Sequence, residues 1–154
     1  GEWTKWSNRG TAKADKSSWV DKSAVSGVQY KYTVCAVNGK VKSTYKATAG
    51  LVRLQQPTVS VALQDKTVNV TWSKITNATG YIVYRSEIVD GKWSSWQNLG
   101  TQGANVTAYS DTTVEAGKIY RYTVRAAKGK SLSSYKESDS VGLPGVVETT
   151  EIVE

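Results

Sequence analysis

The 154-residue chain contains no histidine, no phenylalanine and no methionine, one cysteine and two prolines. Each shortage removes a class of chemistry. Without histidine there is no imidazole to act as a general base near neutral pH or to share in a zinc site. A lone Cys35 can neither close an intrachain disulfide nor build a thiolate cluster. The thirteen acidic residues are scattered and do not follow the spacing of a calcium loop. No stretch nears the run of about 20 apolar residues that a membrane helix needs, so membrane insertion is not expected. These absences point to a chain that is not an enzyme and takes no cofactor and no metal.

The net charge is +7, carried mostly by lysine. A nucleic-acid binder gathers its basic residues on one element. Here they alternate with apolar neighbours, as in Tyr30-Lys31-Tyr32 and Tyr120-Arg121-Tyr122. That pattern reads as a solvated face of a sheet, so nucleic acid is not an expected partner. What the chain does have is six tryptophans and nine tyrosines among many valines and threonines. Those residues suit a pleated, half-buried surface.

The chain repeats itself. Gly1-Glu2-Trp3-Thr4-Lys5-Trp6-Ser7-Asn8-Arg9-Gly10-Thr11 lies without a gap over Gly91-Lys92-Trp93-Ser94-Ser95-Trp96-Gln97-Asn98-Leu99-Gly100-Thr101, an offset of 90 residues. At the same offset Asp21 meets Asp111 and Gly27 meets Gly117. Tyr30 and Tyr32 through Val34 meet Tyr120 and Tyr122 through Val124, and Tyr45-Lys46 meets Tyr135-Lys136. Residues 1–52 and 91–142 are therefore copies. The later copy also owns Pro57 through Asp90, which places the start of the chain inside a unit of about 90 residues.

Period-two alternation places strands at Thr58–Leu63, Thr67–Trp72, Tyr81–Arg85, Trp93–Leu99, Val106–Tyr109, Ile119–Ala127 and Ser131–Tyr135. Val68, Val70 and Trp72 share one face, as do Tyr120, Tyr122, Val124 and Ala126. Seven short strands with no helical period imply a two-sheet sandwich. Asn38-Gly39 reads as a hairpin turn. Asp21 and Asp111 read as turn caps, and Cys35 as an incidental thiol facing away from the core.

Val70-Thr71-Trp72, Gly80-Tyr81-Ile82-Val83-Tyr84-Arg85 and Val114-Glu115-Ala116-Gly117-Lys118-Ile119-Tyr120-Arg121-Tyr122 together resemble fibronectin type III modules, with Ala116 where a proline is common. The lysine-rich, Trp-bearing version is most similar to tandem modules of large secreted or cell-surface proteins of Firmicutes. The resemblance implies an all-β, immunoglobulin-like sandwich. Trp72 would be its core tryptophan, and Tyr120 a corner tyrosine bonded to upstream backbone. The division implied is 1-53, the last four strands of one module; 54-143, a complete module; and 144-154, a linker or the start of a next domain.

The functional expectation is a structural spacer in an extracellular, secreted or cell-surface protein, with adhesion as an associated role and neighbouring modules as partners. The alternative is a carbohydrate-binding accessory module. Its candidate contacts are Trp3, Trp6, Trp93 and Trp96, with a glycan as ligand. Each pair is three apart on an expected strand, so one ring of each should enter the core and the other should face out. The resemblance, in which the position of Trp96 is usually apolar, implies that Trp93 is the outward ring. Leu51, Val52 and Leu54 are expected to pack between modules. The half module 1-53 would expose Tyr30, Tyr32, Val34 and Ala36. It therefore calls for a complementing chain or peptide, a second copy, or the segment Pro144–Glu154.

Overall fold

A computed structural model describes residues 2–145. Thirteen strands follow in order: β1 Gln29–Tyr30, β2 Val37–Asn38, β3 Val41–Lys42, β4 Leu51–Val52, β5 Val59–Gln64, β6 Thr67–Trp72, β7 Gly80–Val89, β8 Lys92–Trp93, β9 Gln97–Gly103, β10 Ala108–Asp111, β11 Ile119–Lys128, β12 Ser131–Leu132 and β13 Val141–Gly142. One sheet has the order β10-β6-β5. The facing sheet centres on β11 and β7, with β12 and β13 along the far edge of β11 and with β8 and β9 along the far edge of β7. All these pairs are antiparallel. The fold is an all-β sandwich.

The core is built without phenylalanine. Val68, Val70 and Trp72 of β6 face Tyr81 and Val83 of β7 and Tyr120, Tyr122, Val124 and Ala126 of β11, all buried. Tyrosine can fill a core only if its hydroxyl finds a partner. Tyr81 accepts from the N–H of Ile75 at 2.8 Å, and Tyr120 accepts from the N–H of Glu115 at 3.0 Å. Tyr122 donates to Asp111 Oδ2 at 2.9 Å. The bond to Tyr120 is the corner expected of that residue.

Besides the shift of the strand expected at Val106–Tyr109 to Ala108–Asp111, three features depart from the sequence reading. The hairpin pairs Asn38 with Val41, so its loop is Gly39-Lys40 rather than Asn38-Gly39, and Gly39 supplies the left-handed conformation at φ 58. The strand expected at Ser131–Tyr135 pairs only over Ser131–Leu132. Beyond it, side chains replace the ladder. Ser133 N–H donates to Ala126 O while Ala126 N–H donates to Ser133 Oγ. Ser138 and Tyr122 repeat the exchange. The six residues from Ser133 to Ser138 span the five from Ala126 back to Tyr122. A pleated register cannot hold, and the hydroxyls take over as acceptors.

The third departure is the expected strand Trp93–Leu99. Pairing stops after Trp93 and resumes at Gln97. In between, Ser94 N–H donates to Glu87 O and its Oγ accepts from the N–H of Glu87. A bulge at Val83/Tyr84 follows, where Gly100 lies opposite Val83 and Asn98 opposite Tyr84.

Residues 21–53 reproduce the frame of residues 111–143. Gln29 pairs with Val52 as Ile119 pairs with Gly142. Gly27 N–H donates to Arg53 O at 2.7 Å, and Gly117 N–H to Leu143 O at 2.8 Å. Tyr30 accepts from Val25 N–H as Tyr120 accepts from Glu115 N–H. Tyr32 donates to Asp21 as Tyr122 donates to Asp111. Ala36 N–H meets Ser43 Oγ, and Tyr32 N–H meets Thr48 Oγ1, in the places of Ser133 and Ser138. The register is the same although nothing equivalent to β5, β6 and β7 lies over it among the described residues. The local hydrogen bonds and the turns at Gly27 and Gly39 are thus common to both copies, whether or not a facing sheet is present.

Candidate functional site

The tryptophan pairs do not divide between core and solvent. Trp93 and Trp96 lie on the same side, with the Arg121 guanidinium between them at 4.3 and 5.1 Å from the ring centroids. Both rings stand outside the core cluster. The expectation of opposite faces assumed a pleated strand. Pairing is broken from Ser94 to Trp96, so the alternation of a pleated strand does not govern where the two rings point.

The stack continues from Trp96 to Tyr135, edge to face at 5.9 Å, and then to Arg125. Arg125 Nε donates to Ser133 O at 2.8 Å, and Arg121 pairs with Glu137. Cations held on aromatic faces stabilise by about 0.5–1 kcal/mol each at exposed sites. The first copy keeps an abbreviated version. Lys31 Nζ lies 4.3 Å from the Trp3 ring, and Trp6 meets Tyr45 edge to face. Cys35 stands where the full stack has Arg125 and is half-buried. Trp3 and Trp6 are more exposed than Trp93.

A second cluster lies at one end of the core. Arg85 Nη1 donates to Asp111 Oδ2 at 2.9 Å and to Thr113 Oγ1 at 2.8 Å. Asp111 Oδ1 accepts from the Thr113 N–H and hydroxyl. Burial alone pushes the Asp111 carboxyl up. The Thr113 bonds, the Tyr122 hydroxyl and the Arg85 charge outweigh it and hold the group below its ordinary value. Burial and the neighbouring carboxylate push the Tyr122 phenol far up. Asp111 does cap its turn, as expected. The sequence reading missed its ion pair, although Arg85 follows Tyr81 and Val83 at period two and so points inward. With every acceptor taken, the cluster has no free base and serves structure.

The third arrangement joins the copies. Leu54 is buried in the core of the complete unit and Val52 packs beside it, whereas Leu51 is exposed, contrary to expectation. Lys128 Nζ donates to Gly27 O at 2.7 Å, and Asn77 Nδ2 donates to Ser26 O at 3.1 Å. Gln55 N–H donates to Ser26 Oγ at 3.1 Å. Gly27 is buried with φ 73, and a Cβ there would fall 2.2 Å from Asn77 Cβ. Ser26, Asn77 and Lys128 were not singled out from the sequence, and Gly27 only as the repeat partner of Gly117, because each is an ordinary turn or surface residue until the two copies meet.

Among the described residues no group of three or more Cys, Asp or Glu side chains could hold a metal ion. No helix among them is long and apolar enough to cross a membrane.

No protein-family profile matches the chain, and no curated protein is similar to it. Solved structures do match. An Fn3-like protein from Clostridium thermocellum is 26% identical, over 61% of this chain and 97% of the other, with a TM-score of 0.49. A structure of titin kinase and its flanking domains is 21% identical, over 59% of this chain and 17% of the other, with a TM-score of 0.50. A β-1,2-glucanase from Parabacteroides distasonis is 20% identical, over 61% of this chain and 13% of that enzyme, with a TM-score of 0.49. The fold class expected from the sequence, an all-β sandwich, is the one observed, and Fn3-like proteins are among the solved structures that resemble it.

Proposed function

We propose that this chain is a non-catalytic spacer from an extracellular or cell-surface multidomain protein, in which successive sandwich units are set at a fixed angle. The observation that carries this reading is the joint. Two hydrogen bonds and a close-packed glycine hold the Ser26-Gly27 corner against Asn77 and Lys128, a third ties Ser26 to Gln55, and Leu54 anchors the link in the next core. A linker of free polar chain would let units swing, whereas a buried leucine and a charged hydrogen bond of roughly 1.5–3 kcal/mol resist it. The stack on Trp93 favours the same reading, because Arg121 covers one face of the ring.

Residual dipolar couplings on the intact chain test the spacer. Residues 21–53 and 57–143 should fit a single alignment tensor, and two independent tensors would refute a fixed joint. A glycan array run on the same protein should show no retention. Retention that disappears in Trp93→Ala would instead favour carbohydrate binding.

A further inference from the structure

The two copies differ most in what covers them. Val124 is fully buried, while Val34, at the same place in the same frame, is 85% exposed. Ala36 is exposed where Ala126 is buried, and Tyr30 and Tyr32 are half-exposed where Tyr120 and Tyr122 are buried. In the complete copy the cover is Pro57–Asp90, whose β7 pairs with β11 from Tyr120↔Glu87 to Ala127↔Gly80. In the first copy Tyr32 and Ala36 bond to Thr48 and Ser43 on one side. On the other side, the backbones of Lys31, Thr33 and Cys35 make no backbone hydrogen bond among the described residues. The charge pattern is open as well. Asp21 keeps the bonds from Ser23 and Tyr32 and lies within the field of Arg9, but among the described residues no arginine makes the direct ion pair that Arg85 makes with Asp111.

We propose that the face formed by Tyr30, Tyr32, Val34 and Ala36 is a docking site for a three-stranded β segment of the Pro57–Asp90 type, which adds a strand along Lys31–Cys35 and delivers an arginine to Asp21. The internal copy specifies this occupant. Its third strand must run antiparallel to residues 30–37, alternate apolar residues toward Val34, and place a guanidinium opposite Tyr32, as Arg85 stands opposite Tyr122. Strand addition of this kind takes affinity from main-chain bonds and selectivity from alternate side chains. The segment Pro144–Glu154, named as an alternative cover, lies outside the described residues beyond Gly145.

The intact 154-residue chain titrated with a synthetic peptide of residues 57–90 tests this. A one-to-one complex is expected by light scattering, with new hydrogen-exchange protection at Lys31, Thr33 and Cys35. A peptide carrying Arg85→Ala should bind about tenfold more weakly or worse, consistent with the loss of a charged hydrogen bond. That discrimination should vanish in an Asp21→Asn chain. Val34→Lys should abolish binding while leaving exchange in residues 57–143 unchanged, because Val34 is exposed in the free chain. The proposal is overturned by absence of a complex, or by a complex indifferent to both Arg85→Ala and Val34→Lys. It is equally overturned if the peptide-free chain already protects these amides, whether as a dimer or through residues 146–154.

Discussion

Arg85 reaches Asp111 across the end of the sandwich at 2.9 Å, with the Asp111 side chain wholly buried and the Arg85 side chain 12% exposed. Removing one member leaves the other charge uncompensated in a dry site. Asp111→Ala should destabilise the complete unit by about 3–5 kcal/mol, measured by urea unfolding followed through tryptophan fluorescence. A loss below about 1 kcal/mol would mean the pair behaves like an exposed one.

The same cluster sets the pH range of stability. Asp111 is held below its ordinary value of 3.8 in the folded chain, so as pH falls the unfolded state takes up a proton first. Its contribution should be complete above about pH 5 and decline through the acid range. Tyr122 is pushed above its ordinary 10.0, so its contribution is present below that value and lost as pH rises past it. Unfolding free energy measured against pH should fall at both ends. Asp111→Asn should flatten the acid limb.

Arg121 is shared by two indoles and a carboxylate. Arg121→Ala removes both ring contacts and the packing of its stem, which predicts a loss of about 1–2 kcal/mol in thermal or urea unfolding. Arg121→Lys should retain part of it, since an ammonium can sit over one ring but cannot lie flat between two. Equal losses for the two variants would show that stacking contributes nothing.

Gly27 tests the joint separately from either unit. It carries φ 73, and a Cβ there has no room beside Asn77. Gly27→Val should decouple the alignment of the two halves in dipolar-coupling measurements and leave the unfolding of residues 57–143 unchanged. A common alignment tensor in the variant would move the origin of stiffness to Leu54 alone.

The core was legible in the sequence because burial on one face forces every second residue to be apolar, and Tyr120 through Ala126 show that rhythm plainly. The corner tyrosine was legible through its glycine partner and its resemblance to a known sandwich. The placement of Trp93 and Trp96 was not. The alternation rule holds only while pairing continues, and Ser94 ends it by offering its hydroxyl in place of a carbonyl. The joint was hidden for a different reason. Ser26, Gly27 and Asn77 are typical turn residues, and their meeting depends on how two units sit together, which no local pattern encodes. The open face around Val34 was expected from the repeat, and its exposure follows from the same alternation that buries Val124.

Amide hydrogen exchange across residues 28–48 of the free chain tests most directly whether the shorter copy keeps its frame with one side bare. Tyr32 and Ala36, whose N–H groups bond to Thr48 and Ser43, should exchange slowly while Lys31, Thr33 and Cys35 exchange fast. Their counterparts Arg121, Thr123 and Arg125, paired along β7, should all be slow. Uniformly fast exchange from 28 to 48 would show that the frame does not form alone.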